Sequence, residues 1–496
     1  MDATLVPGIP VARIPDARRD ADPTGACIAD AGTTLDNAGF ARAVDAAAAH
    51  LATLGVAHGG TVAVMMPNRV ELVVTMFAAW RLGAACTPLN PALTADEAHY
   101  QITDARAVVV VADEPSTARL GDAPVPVVPA DELGTVAGDV PAPSAADDDT
   151  ALLIYTSGTT GRPKGVVLDH ANVAAMGRMV IDWFALTAED RSLLIMPLFH
   201  INGIVVSVVA PLLAGGTSYV APRFDPTAFW SLVEREGATY TSGVPTIYAM
   251  LLALPDAPSS STLRFAVCGA APMPPGLIER FGARYGVPVV EGYGLSETTA
   301  ACTANPLDGE RRDGTVGFAL PGCRIRVVDA DGAALPVGEA GEIQVQGPNV
   351  MRGYLGRPED TAAALRDGWL ATGDVGVLDE DGYLRLVDRV KDMIIRGGEN
   401  IYPMEIENVL HQHDAVQEVA VVGRPDDMYG EQPVAVVVLA PGHELTLEDV
   451  AEFCSQRLAR YKVPRGLLVV DALPRNGVGK VVKGDLRALV REGASV

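Results

Sequence analysis

The chain has 496 residues, 49% hydrophobic and 20% charged, so it is long enough for two or more folded domains and too apolar to be disordered. Its 62 acidic residues against 38 basic ones leave a formal net charge of -24. That balance argues against nucleic acid or an anionic membrane as the main partner, while leaving room for local basic pockets.

Along the chain, Phe40, Val44, Ala48 and Leu51 recur at helical spacing, and residues 61–66 read as a short buried strand. Residues 72–82 are helical again, and 107–112 form another β-branched run. This alternation predicts βαβ units, a mainly parallel sheet and an α/β body. The stretch 122–149, rich in Ala, Pro and Asp, reads as surface loop or loosely packed connection. Six cysteines without a Cys-x-x-Cys pair read as buried free thiols in a reducing, cytoplasmic setting. Asp2, Asp16 and Asp20 interrupt the first twenty residues, against a signal peptide. The apolar run 204–214 is broken by Pro211 and is too short for a transmembrane segment.

Beyond residue 392 the texture changes to short strands and helices. Pro403 opens a helix carrying Ile406, Val409 and Leu410, and 416–422 and 434–439 read as strands. Thr446 and Asp449 form a capping-box pattern. A second, smaller α+β domain of about one hundred residues is expected here.

The first chemical motif follows an apolar strand ending at Tyr155: Thr156, Ser157, Gly158, Thr159, Thr160, Gly161, Arg162, Pro163, Lys164, Gly165. A loop this dense in glycine and hydroxyls can turn N–H and O–H groups toward one anion, and Lys164 adds a charge for a polyphosphate tail. Pro163 before the lysine, with no Ser or Thr after it, excludes a Walker A loop. By composition alone the loop is a phosphate binder.

Residues 155–166 resemble the signature of the adenylate-forming superfamily, which includes acyl-CoA synthetases, firefly-type luciferases and peptide-synthetase adenylation domains. The resemblance covers nearly the whole chain, with at least five motifs in family order. It implies ATP, magnesium and coenzyme A as substrates or cofactors, with Glu291, Gly292, Tyr293 and Gly294 at the adenine together with Gly269, Ala270 and Ala271. Ser296 would meet the α-phosphate and Glu297 the Mg2+. Asp374 and Arg389 would hold the ribose. The implied organisation is an AMP-binding domain over 1–388, a hinge over 389–392 centred on Lys391, and a mobile C-terminal domain over 393–496. Arg396, Gly397 and Gly398 match the loop that receives pantetheine, and Lys480 matches the adenylation lysine. For Arg396 a plain surface arginine is an equal reading.

Phe199, His200, Asn202, Thr241 and Ser242 match the acyl pocket, with His200 gating or polarising the acid; a packed structural histidine is the competing reading. His200 and Asn202 replace the aspartate that holds an amino acid's ammonium in peptide-synthetase domains, and Gly292 replaces the arginine of malonate-activating relatives. A fatty or aryl monocarboxylic acid is therefore expected as the small-molecule partner, with oligomeric state open. Three alternatives stand beside a CoA ligase: an acyl-AMP ligase loading a carrier protein, a silent nucleotide-binding relative, and a luciferase-like oxidative activity. No carrier-ligase insertion is visible, and retention of Lys164, Glu297, Asp374, Arg389 and Lys480 argues against silence.

Overall fold

The computed structural model describes residues 9–135, 142–156, 162–256, 258, 261–271, 273, 276–389, 392–397, 399–426, 428–475 and 481–492. The chain forms a mixed α/β body and a smaller C-terminal part. By its internal contacts it divides into a first unit of Met1–Pro272, Gly276–Ile325 and Val345–Leu370, and a second of Met273–Pro275, Arg326–Gln344 and Ala371–Val496.

Two sheets organise the first unit. In the seven-stranded sheet, Thr61–Met65 lies between Ala85–Leu89 and Val109–Ala112, parallel to both. All five residues of Thr61–Met65 are buried, as a strand covered on both faces requires. One edge carries the antiparallel hairpin of Thr150–Thr156 and Lys164–Asp169, followed by the two-residue strand Gly353–Tyr354. The nine-stranded sheet is parallel through its middle, where Arg191–Leu194, Tyr240–Gly243, Phe265–Cys268 and Val289–Tyr293 are successive neighbours.

Helices begin where the sequence supplies caps. Asp36 accepts from the Gly39 N–H ahead of Asn37–Thr53, and Thr94 with Glu97 forms a capping box ahead of Ala95–Asp104. Asp169 and Asn172 do the same for His170–Phe184, each such cap contributing about 1 kcal/mol. The helix expected over 72–82 is observed as Val70–Arg81, buried on every side except at Glu71. The loop expected over 122–149 needs correction. Val127–Pro129 forms an edge strand parallel to Val109–Ala112. Three residues among prolines carry too little periodicity to be recognised, and the strand is defined by its pairing with the preceding strand across the helix Glu114–Leu120.

In the second unit, Trp369–Leu378 pairs antiparallel with Leu384–Arg389. A further sheet contains the long hairpin of Val416–Asp426 and Gly430–Leu439, with Ile394–Arg396 and Gly466–Val469 against its second strand. The helix at Pro403 and the Thr446–Asp449 capping box both form as expected. All six cysteines are free and buried. Among the described residues no helix is long and apolar enough to cross a membrane.

His170, the first residue of its helix, is 1% exposed and packs edge-on against Trp80. Neither ring nitrogen has a hydrogen-bond partner among the described residues. Burial pulls the imidazole down to about 4 from its ordinary 6.5. The unfolded chain therefore takes up a proton that the folded chain resists, and stability present above the ordinary value is lost as pH falls toward the folded one. Between pH 7 and pH 5 this histidine should remove about 2 kcal/mol, read as a falling urea midpoint. His170→Phe should flatten that part of the profile; an unchanged profile would show that His170 does not set it.

Candidate active site

The phosphate hairpin is anchored from below. Thr156 and Lys164 are Cα partners at its mouth, and Tyr155 faces Gly165. A Cβ on Gly165 would lie 3.3 Å from the Tyr155 ring, so glycine lets that ring cross the hairpin. The Tyr155 hydroxyl donates to Asp104 Oδ2 at 2.9 Å, and the Tyr100 hydroxyl donates to the Pro163 carbonyl at 3.0 Å. Tyr100 and Asp104 sit one helical turn apart, so one face of Ala95–Asp104 braces both sides of the loop. Ser157, Gly158, Thr159 and Thr160 lie outside the described residues.

Lys164 Nζ pairs with Asp360 Oδ1 at 2.8 Å and lies 5.3 Å from the centroid of the Tyr354 ring. With the Asp360 side chain 36% exposed, a pair of this kind contributes at most about 1 kcal/mol, little enough for a polyphosphate to displace. The Tyr354 hydroxyl donates to Glu297 Oε1 at 2.8 Å. The lysine and the carboxylate expected at the phosphates and the metal are thus joined through one tyrosine that the motifs did not single out.

Glu297 belongs to the tight turn Ser296–Thr298, at the end of Val289–Tyr293 and its following loop. Thr299 and Ala300 adopt positive φ of 52° and 102°, unusual for residues with a Cβ. Asn349, fully buried, holds this bend: its amide donates to the carbonyls of Thr298 at 3.0 Å and Ala301 at 2.7 Å, while its own carbonyl accepts from Thr299 Oγ1 at 2.6 Å. Neither Asn349 nor Tyr354 carries a local sequence signal; the run Asn349, Val350, Met351, Arg352, Gly353, Tyr354 would have had to be paired with the strand at 164–169 to reveal them.

Around Gly269 and Gly292, expected at adenine, the backbones approach closely. A Cβ on Gly269 would lie 3.0 Å from the Gly292 carbonyl oxygen, and one on Gly292 would lie 3.1 Å from that of Thr303. Ala270 is held at φ 67°, and Tyr293 is 8% exposed. Glu291 is equally buried, on the wall of a cavity of about 310 Å³ that Asn305, Arg311, Arg312 and Asp313 also line. No hydrogen bond among the described residues reaches its carboxyl. Burial, with Asp313 adding to it, pushes Glu291 up to about 8, so near neutrality it holds its proton. A neutral carboxyl both donates and accepts, so Glu291 can meet a group of either kind.

The acyl-side residues cluster on two elements. His200 precedes the turn Ile201–Ile204, which continues as a π-helical turn over Val205–Val209. Phe199 and His200 touch ring to ring at 4.5 Å. The buried Asn68 fixes the approach, donating to the Met196 carbonyl at 2.9 Å and accepting from the Leu198 N–H at 2.8 Å. Ser242 Oγ donates to Asn202 Oδ1 at 2.8 Å, joining two of the expected pocket residues. Thr241 turns otherwise: its hydroxyl donates to the Leu193 carbonyl of the adjacent strand at 2.8 Å.

In the second unit, Asp374 and Arg389 are Cα partners, and Arg389 Nε lies 3.2 Å from Asp374 Oδ1. Gly373, at φ 71°, precedes the aspartate. Arg396 stacks on Tyr429 at 4.3 Å from the ring centroid, and Gly397, at φ 60°, donates its N–H to the Tyr429 carbonyl at 2.8 Å. Lys391, Gly398 and Lys480 lie outside the described residues.

The model of the AMP-binding enzyme family matches residues 16–355, and that of the AMP-binding enzyme C-terminal domain matches 405–480. A feruloyl-CoA synthase of Amycolatopsis is 39% identical over 479 residues, covering 95% of this chain and 97% of its own. An indoleacetate–CoA ligase of Aromatoleum aromaticum is 40% identical over 476 residues, covering 92% and 93%. The solved structure of O-succinylbenzoate coenzyme A synthetase from Bacillus subtilis, in complex with ATP and magnesium ion, superposes with a TM-score of 0.87 at 33% identity, covering 96% of this chain and 99% of that one. The chain belongs to the AMP-binding enzyme family. Within it, this is an AMP-forming acid–thiol ligase of the acyl- or aryl-CoA class.

The tightest glycine of the site gives a test. A Cβ on Gly294 would lie 2.4 Å from both the Ala300 carbonyl oxygen and Ala301 Cα, atoms of main chain that cannot turn aside. Gly294→Ala should lower unfolding stability by about 1–3 kcal/mol in urea denaturation. Gly484→Ala, in the helix Lys483–Glu492 with nothing within 4 Å, should be neutral or stabilising. Equal effects from the two would remove the packing explanation.

Proposed function

We propose that this ligase activates a fatty or aryl monocarboxylic acid with ATP and magnesium and transfers the acyl group to coenzyme A. The single observation that carries the nucleotide half is the Lys164–Tyr354–Glu297 chain of contacts, which puts a cation and a carboxylate beside the phosphate hairpin. Magnesium accompanying ATP is commonly held by one or two carboxylates plus phosphate oxygens, and Glu297 suits that role. Lys164, Thr156 and the hydroxyls of 157–160 receive the phosphates, with Ser296 at the α-phosphate. Glu291, Gly292, Tyr293, Gly294 and Gly269, Ala270, Ala271 receive adenine, and Asp374 with Arg389 receives ribose.

A carboxylate is a poor electrophile because its leaving group would be oxide. Attack of one carboxylate oxygen on the α-phosphorus expels pyrophosphate and makes a mixed anhydride whose leaving group is AMP. The CoA thiolate then adds to the acyl carbon and AMP departs. The first step brings two anions together, and Lys480 is the cation assigned to bridge them. On this reading the nucleotide-binding domain ends near residue 388, a hinge at Lys391 follows within 389–392, and the domain from 393 carries the pantetheine loop at Arg396–Gly398.

For the acid, the wall of Phe199, His200 and the Ser242–Asn202 pair offers aromatic surface with one amide and one hydroxyl, and no carboxylate of its own to match an ammonium. The feruloyl and indoleacetate specificities named for two relatives support an aryl acid. The test is mass spectrometry of products from a panel of aryl, fatty and dicarboxylic acids with ATP and magnesium, with and without CoA. Aryl or fatty acyl-CoA formed only when CoA is present is the expected result. Acyl-AMP alone would move the acceptor to a carrier protein, and preference for a dicarboxylate would overturn the pocket assignment.

A further inference from the structure

We propose that Tyr354 is a positioning residue for magnesium-bound ATP: its phenol sets the Glu297 carboxylate for the metal, and its ring sets the place of Lys164. The inference rests on the nucleotide reading above and adds to it a residue that none of the motifs contains.

The main chain delivers this side chain to its place. Gly353–Tyr354 pairs antiparallel with Lys164–Asp169, Tyr354 opposite Val166 and Gly353 opposite Val167. The Leu355 N–H donates to the Gly165 carbonyl at 2.8 Å, one residue beyond Lys164. Three residues before Tyr354, the Met351 N–H donates to the Glu297 carbonyl at 2.8 Å. Glu297 is therefore gripped twice by one short segment, at its backbone by Met351 and at its carboxylate by Tyr354. Gly353 makes the approach possible: at φ 149°, a Cβ there would lie 2.7 Å from Thr361 Cγ2. Thr361 in turn accepts the Tyr354 N–H at 2.9 Å, fixing the residue from its other side.

The chemistry asks for such a partner. A metal-binding carboxylate holds its geometry best when an outer donor occupies part of its lone-pair capacity. A tyrosine present only to fill space would need its ring and not its hydroxyl. Tyr354→Phe separates the two, since it keeps the ring under Lys164 and removes only the O–H.

The experiment measures ATP-induced thermal stabilisation of the full chain while magnesium is titrated, so the readout is binding and not turnover. In Tyr354→Phe the half-saturating magnesium concentration should rise roughly ten- to a hundredfold, the usual cost of losing an outer partner of a metal ligand. Stabilisation by ATP without magnesium should not change, and the ligand-free melting temperature should stay within about 2 °C. An unchanged magnesium midpoint would overturn the proposal, as would equal weakening with and without the metal, which is the mark of a ring that only packs. If wild-type protein shows no magnesium-dependent response to ATP, the nucleotide reading itself fails and this inference with it. Should the Phe variant not fold, Tyr354→Gln and Tyr354→Met, similar in size and differing in the donor, make the same comparison.

Discussion

Residues 349–355 supply the hydrogen bonds that tie the hairpin of Thr150–Thr156 and Lys164–Asp169 to the bend carrying Glu297. Asn349 ties down the carbonyls of Thr298 and Ala301, Met351 that of Glu297, Arg352 that of Val167 and Leu355 that of Gly165. The segment is itself pinned by Asn172, whose amide donates to the carbonyls of Pro348 and Val350 at 2.8 and 2.9 Å. Asn172 also closes the capping box of the helix that follows the phosphate hairpin. A bend carrying positive φ at Thr299 and Ala300 would relax if left to itself, since each such residue costs on the order of 1–3 kcal/mol. Here that cost is offset by buried side-chain bonds to backbone, which are costly to leave unmade.

Charge is managed on the same scale. The chain has a net charge of -24, yet the proposed substrates are anions, so the site must lower its own negative potential. Two features fit that need. Glu291 keeps its proton near neutral pH through burial, with Asp313 reinforcing the shift. Lys164 is held by a half-exposed aspartate, a contact weak enough to be exchanged for phosphate. Glu297 Oε1 accepts a hydrogen bond from the Tyr354 phenol.

Much of the fold was legible because its signals are local. The buried strand at 61–65, the helix at 70–81, the caps at Thr446 and Asp449, and the strand leading into the glycine-rich loop all follow from periodicity and capping chemistry. Tyr354 and Asp360 were not legible, because their partners lie nearly two hundred residues away in sequence, and Asn349 was not because its bonds reach a bend about fifty residues earlier. Val127–Pro129 escaped for a related reason: its strand character comes from its neighbour. Thr241 and Ser242 read alike in sequence, yet one hydroxyl bonds a neighbouring strand and the other faces Asn202. Alternation along a strand decides between them, and only pairing tells which face is which.

Attack of the acid on the α-phosphorus is the step proposed for these groups, and isotope transfer tests it most directly. A carboxylic acid labelled with oxygen-18 in its carboxylate would be converted with ATP, magnesium and CoA, and the products weighed by mass spectrometry. Adenylation predicts one label in AMP and none in pyrophosphate. Label in inorganic phosphate, with ADP as the nucleotide product, would mean attack at the terminal phosphorus and would contradict the mechanism.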